Sequence, residues 1–201
     1  MRIALFGGSF DPPHRGHLAI ARAAAMDFAL DRVLLAPTGL QPLKPGGPVA
    51  SFPDRLAMVS LLCADDPHLI PSDLDAPLDG NRPNYTVDTL HRLRDQLPTA
   101  DLFNLLGADA FHTLGHWHEP RQALALAEWI VVSRPGYTFS DPEGLALTPA
   151  QRIRIHLLDN IHEDVSATTL RTRLSEADPC EGLLPPPIVT YIQQHQLYRS
   201  R

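Results

Sequence analysis

Two histidines three residues apart, His14 and His17, follow a glycine pair in the stretch ALFGGSFDPPHRGHLAIA, which runs from Ala4 to Ala21. An apolar run comes first, then Gly7-Gly8, a turn carrying Ser9, Phe10 and Asp11, and a helix-like segment. Residues three apart at a helix start share one face, so both imidazoles can meet the same anion. The free backbone amides at that end attract the same charge. Gly7 and Gly8 would let a ligand approach the main chain closely, and Gly16 would do so again between the histidines. Neither common phosphate-binding glycine pattern is present, G-x-G-x-x-G or G-x-x-x-x-G-K-[ST]. A plainer alternative is a tight glycine turn with two surface histidines as caps. It explains each residue singly but not the whole string. Asp11 is read as a residue that organises this loop.

A second group stands far downstream. VSATTLRTRL holds Ser166, Thr168 and Arg171 at S-x-T-x-x-R spacing. Ser166 and Thr168 suit a helix N-cap. Arg171 lies one turn in and can reach back to the same end. Hydroxyls, free amides and a guanidinium together suit phosphate. Alone, the segment reads equally as a capped helix with a solvated arginine. In HTLGHWH, His112, His116 and His118 stand at a spacing that can bind zinc on a helix. Gly115 disturbs that helix and no fourth ligand is evident, so the cluster is read as a pocket edge and no metal site is assigned. By themselves, Trp117 suits a core and Asp109 a helix cap.

The elements that must position these groups alternate. Short apolar runs at 2–6 and 32–37, in HLIPSDLD (68–75), in DLFNLLGAD (101–109, running into a turn), in EWIVVSRPG (128–136, closed by Pro-Gly) and at 152–158 read as buried strands. Helical spacing follows in His17–Leu30, in Ser51 to about Ala64, in Tyr85–Leu97, around Arg121–Ala127, in VSATTLRTRLSEA, and in PPPIVTYIQQHQLY with proline at its entry. This is an α/β layout, a doubly wound and mainly parallel sheet with ligands at the carboxyl ends of its strands. One domain over 1–201 is expected, with a helical C-terminal subregion from about 165. Net charge is −6, which disfavours nucleic acid as a general partner. No apolar run reaches the ~18 residues of a membrane span, and no signal-peptide pattern opens the chain. Cys63 and Cys180 fit a reducing, cytoplasmic setting without a disulfide. A homodimer stays open.

GGSFDPPHRGH contains the H-x-G-H signature and resembles the nucleotidyltransferase superfamily, whose second motif has the S-x-T-x-x-R form. RPNYTVDTL, LLGADAFHTLGHWHE, SRPGY and the C-terminal CEGLLPPPIVTYIQQHQLY resemble the bacterial nicotinate-nucleotide adenylyltransferases over nearly the whole chain. The resemblance implies a Rossmann-like fold and transfer of AMP from ATP to nicotinate mononucleotide, giving deamido-NAD and pyrophosphate. It implies ATP contacts from Gly7, Gly8, Ser9, Phe10, His14, His17, Lys44, Gly107, Asp109, Arg134, Ser166, Thr168 and Arg171, with His14, His17 and Arg171 as catalytic groups. It implies acceptor contacts from Thr86, Trp117 and His118, the tryptophan packing on the pyridine ring. Mg²⁺ is expected, held mainly by the ATP phosphates and water. The sequence departs from the family at the loop after the second strand. Leu43 replaces the usual histidine while Lys44 keeps the charge, and Thr38-Gly39 stands at the usual asparagine. Nicotinamide mononucleotide and phosphopantetheine are the rival acceptors, and a non-catalytic nucleotide-binding protein is the rival class.

Overall fold

The computed structural model describes residues 1–43, 46–133, 139–161 and 165–199. The apolar runs become β1 (Arg2–Gly8), β2 (Arg32–Pro37), β3 (Leu69–Pro71), β4 (Asp101–Gly107), β5 (Glu128–Val132) and β6 (Ile155–Leu158). They form one sheet in the order β3-β2-β1-β4-β5-β6, parallel throughout. The helices are α1 (Arg15–Asp27), α2 (Phe52–Cys63), α3 (Thr86–Gln96), α4 (Ala108–His112), α5 (Pro120–Leu126), α6 (Pro149–Arg152), α7 (Ala167–Ser175) and α8 (Pro186–Gln194).

Successive strand residues point to opposite faces, and the apolar runs therefore feed two cores. Ala4, Phe6, Val33, Leu35, Phe103 and Leu105 pack with Ala21 of α1, Met58 of α2, Leu170 of α7 and Ile188 of α8. Ile3, Leu5, Leu102, Leu106 and Trp129 pack with Leu90 of α3, Phe111 of α4 and Leu124 of α5. Burying one such side chain contributes about 1.5–3 kcal/mol, so both faces of every central strand are anchored. The chain steps outward from β1 to β3, then returns to lay β4 on the other side of β1. The strand order reverses there, and a ligand crevice opens where neighbouring strands lead their connections to opposite faces. Gly8 ends β1 and Gly107 ends β4, so both lie at the carboxyl-end rim of that crevice.

The expected doubly wound sheet is thus present. Three element details differ from the sequence reading. Helix α1 starts at Arg15 and stops at Asp27, because Ala29 turns left-handed at φ 45°. The sixth strand is shorter than 152–158, because Thr148-Pro149-Ala150-Gln151 forms a capping box that opens α6. Gln151 N donates to Thr148 Oγ1 at 3.2 Å and Thr148 N to Gln151 Oε1 at 2.9 Å. The short helix α4 directly after β4 had no periodic signal of its own. Among the described residues no helix is long and apolar enough to cross a membrane. Cys63 and Cys180 are both buried and free.

Candidate active site

The loop between β1 and α1 folds its histidines together. Phe10 takes a left-handed φ of 47°, and His14 caps α1 in extended conformation, φ −145° and ψ 174°. The His14 backbone N–H donates to His17 Nδ1 at 3.2 Å. A neutral imidazole that accepts at Nδ1 carries its hydrogen on Nε2, so His17 is held as an Nε2–H donor. The two rings lie 3.7 Å apart, and the Phe10 ring lies 4.8 Å from His17. Phe10 itself is buried against Phe6, ring centroids 5.5 Å apart. Its ring supports His17 from below, which leaves only its backbone to face a ligand.

His14 is buried, and its Nδ1 has no hydrogen-bond partner among the described residues. Burial without a counter-charge pushes its pKa from 6.5 down to about 4. The ring is therefore neutral near pH 7. Gly16 has a different task from the one its position suggested. A Cβ there would stand 3.1 Å from His14 Nδ1 and 3.2 Å from Cε1, so the space it leaves is taken by the His14 ring and not by a ligand. Likewise a Cβ on Gly8 would meet the Phe10 ring at 3.3 Å. At Gly7 the nearest atom to a Cβ is Asp75 Oδ2 at 3.8 Å, an ordinary contact.

The downstream group reaches the same loop. Ser166 is the N-cap of α7 in extended conformation, and its hydroxyl makes no capping bond. Thr168 is exposed and accepts from Arg171 Nη2 at 3.1 Å. Arg171 Nη1 donates to the carbonyl of Asp11 at 2.8 Å, across 160 positions of sequence. The two motif halves are therefore joined by a direct hydrogen bond. Asp11 organises the loop, as its sequence context suggested. Its buried carboxylate accepts from Val49 N at 2.7 Å and Ala50 N at 3.1 Å.

A third group forms at the start of α3. Tyr85 is the N-cap, Thr86 is the first helical residue, and the His118 ring stacks on Tyr85 at 4.3 Å. Trp117 is half-buried, donates from Nε1 to Thr113 Oγ1 at 3.4 Å, and lies 6.2 Å from the Trp129 ring. His118 thus lies on Tyr85, next to Thr86 in sequence, with Trp117 adjacent to His118 in the chain. Glu119 then takes a left-handed φ of 47°, which turns the chain away from this corner. His116 pairs with Glu143 at 3.5 Å, and among the described residues no three His, Cys, Asp or Glu side chains gather as metal ligands.

Behind these groups lies polar support that the sequence did not flag. Asn84 is buried. Its Oδ1 accepts from Leu40 N at 2.9 Å and its Nδ2 donates to Ala76 O at 2.8 Å. Asp75 is buried and accepts from Thr89 Oγ1, which also accepts from Arg92 Nη2 at 3.1 Å. Burial raises the Asp75 pKa against these bonds. Gly39 lies between Asp75 and Asn84. Its N–H donates to Asp75 O at 2.7 Å, and a Cβ would fall 2.6 Å from Pro77 N. At the rim, Gly107 caps α4 with open space at its Cβ position, and Asp109 is exposed in the first turn. Leu43 is exposed. Lys44 and Arg134 lie outside the described residues.

The cytidylyltransferase-like family model matches residues 5–173. A protein of Roseiflexus sp. (strain RS-1), "Probable nicotinate-nucleotide adenylyltransferase", is 42% identical, covering 98% of this chain and 98% of its own. One of the same name from Solibacter usitatus is 37% identical, covering 98% and 100%. Among solved structures, the nicotinic acid mononucleotide adenylyltransferase of Plasmodium falciparum complexed with NaAD superposes with TM-score 0.75. It is 15% identical and covers 98% of this chain and 97% of its own, so it speaks for the fold alone.

Proposed function

This chain belongs to the cytidylyltransferase-like family, among its nicotinate-nucleotide adenylyltransferases, and on that premise we propose that it transfers AMP from ATP to nicotinate mononucleotide, giving deamido-NAD and pyrophosphate. The observation that carries the reading is the Arg171 bond to the Asp11 carbonyl. It sets a guanidinium and the start of α7 against the loop that leaves β1 at the sheet's carboxyl end and carries the paired imidazoles of His14 and His17.

The acceptor phosphate attacks the α-phosphorus of ATP in line. A new P–O bond forms, the bond to the bridging oxygen of the β-phosphate breaks, and pyrophosphate leaves with that electron pair. A phosphate monoester has a second pKa of about 6, so the nucleophile needs no base. The work left to the protein is positioning and charge stabilisation. A neutral His14 and an Nε2–H on His17 suit hydrogen-bond donation better than proton exchange. His17 donates to the α-phosphate, and Ser166, Thr168 and Arg171 hold the β- and γ-phosphates. Ser9 and Phe10 contribute through the loop backbone, beside Gly7 and Gly8. Lys44 and Arg134 complete the phosphate set in this reading, and Gly107 and Asp109 contact the adenosine ribose. Mg²⁺ arrives with the nucleotide as MgATP. At the other end Trp117 packs on the pyridine ring, while Thr86 and the main chain near His118 hold the carboxylate.

Pyrophosphate release from MgATP, measured side by side with nicotinate mononucleotide, nicotinamide mononucleotide and phosphopantetheine, tests this. Release fastest with the nicotinate acceptor is expected. Preference for the amide overturns the carboxylate site, and no release with any acceptor favours a binding protein.

A further inference from the structure

Tyr198 lies beyond α8, near the end of the described chain, yet its hydroxyl donates to Asp11 Oδ1 at 2.7 Å, across 187 positions. Both groups are buried, Tyr198 at 8% exposure and Asp11 at 2%. The fully buried Arg55 stands behind them, donating from Nη1 to Ser9 O at 2.7 Å and from Nε to Ala50 O at 3.3 Å. Its charge offsets that of Asp11. Arg171 of α7 also reaches this loop. Its Nη1 bonds the Asp11 carbonyl but stays 4.0 Å from Asp11 Oδ2, beyond hydrogen-bond length.

The carboxylate is served by three other donors: Ala50 N and the Tyr198 hydroxyl at Oδ1, and Val49 N at Oδ2, the oxygen nearer Arg171. Burial and the neighbouring carboxylate raise the pKa of Tyr198, so its hydroxyl stays a donor at every working pH. With one donor removed, a buried anion is left under-satisfied, and the Arg171 guanidinium stands 4.0 Å from its Oδ2. Capture of Arg171 by the carboxylate would draw it off its position at the start of α7.

We propose that Tyr198 is a positioning residue for the triphosphate end of the site, occupying the Asp11 carboxylate so that Arg171 stays on the Asp11 carbonyl and faces the ligand. The inference rests on the proposed reading of Arg171 as a phosphate ligand. It makes the C-terminal turn part of the nucleotide site, although it touches no substrate.

The test uses the full chain and Tyr198→Phe. MgATP binding is measured by calorimetry without acceptor, and KM and kcat are measured separately for each substrate. Binding of MgATP should weaken about fivefold, the equivalent of one net hydrogen bond. KM for MgATP should rise with it, while KM for the acceptor stays unchanged. A tyrosine that only stabilises the fold would lower the unfolding temperature and leave this split absent. Unaltered MgATP affinity in a folded Tyr198→Phe protein overturns the proposal. If that variant does not fold, Tyr198→Phe combined with Asp11→Asn serves, since it keeps the carbonyl and removes the anion that would capture Arg171. The double variant should bind MgATP about as the wild type does, and weakened affinity in it overturns the proposal. Failure of wild-type turnover with nicotinate mononucleotide, with MgATP binding still sensitive to Tyr198→Phe, would reject the acceptor reading and leave this one standing.

Discussion

His14 couples the phosphate loop to pH. Burial lowers its pKa from 6.5 to about 4, and its Nδ1 has no hydrogen-bond partner among the described residues. In the unfolded chain the ring takes up a proton as pH falls through 6.5, whereas the folded ring stays neutral until about 4. The unfolded state therefore binds the extra proton, and stability is lost as pH drops through that window. Each pKa unit corresponds to about 1.4 kcal/mol, so the loss is about 2 kcal/mol by pH 5 and about 3 kcal/mol when complete. Urea unfolding at pH 7.5 and at pH 5, for the wild type and for His14→Asn, isolates this contribution, because every other titration is common to both proteins. Wild-type stability should fall by about 2 kcal/mol more than that of the variant. Equal losses would refute the reasoning and mean that His14 is solvated or paired when folded.

Other outcomes are as specific. His17→Ala should lower kcat by about 10²–10³, the effect of losing one transition-state donor, with KM for the acceptor little changed. Trp117→Ala should raise KM for nicotinate mononucleotide about tenfold, from the loss of about 1.4 kcal/mol of ring contact, and leave MgATP binding measured by calorimetry intact. Gly39→Ala drives a Cβ to 2.6 Å from Pro77 N and 2.7 Å from Asn84 Oδ1. It should cost about 1–3 kcal/mol in urea unfolding. Cys63, whose thiol burial pushes up to about 12, should resist alkylation in the native protein and react once urea unfolds it.

The fold was largely legible because its signals are local. Runs such as RVLLAP sit where strands form, and Ser51 caps α2 by accepting from Asp54 N at 3.2 Å. The errors were local too. The capping box at Thr148 was missed because Arg152, Ile153 and Arg154 alternate like a strand, and hydrogen bonds at one turn outweighed that pattern. In the site, the histidine spacing at α1 and the hydroxyl–arginine spacing at α7 pointed to anion chemistry. The supporting groups Asp75 and Asn84 carried no such signal, because a polar residue that will be buried looks like any loop residue until its partners are known.

The sequence by itself determined the strand–helix alternation, the placement of His14 and His17 on one helix start, and the kind of chemistry those residues suit. Periodicity and capping act over a few residues, so one stretch of chain states them. Only the tertiary structure decided that Gly16 accommodates the His14 ring, that Phe10 supports His17 from within the core, and that Asp11 joins Arg171 and Tyr198. Those contacts span up to 187 positions. The Asp11 contacts exist because the parallel sheet reverses its order beside β1 and returns distant segments to the same crevice, which no local pattern can encode.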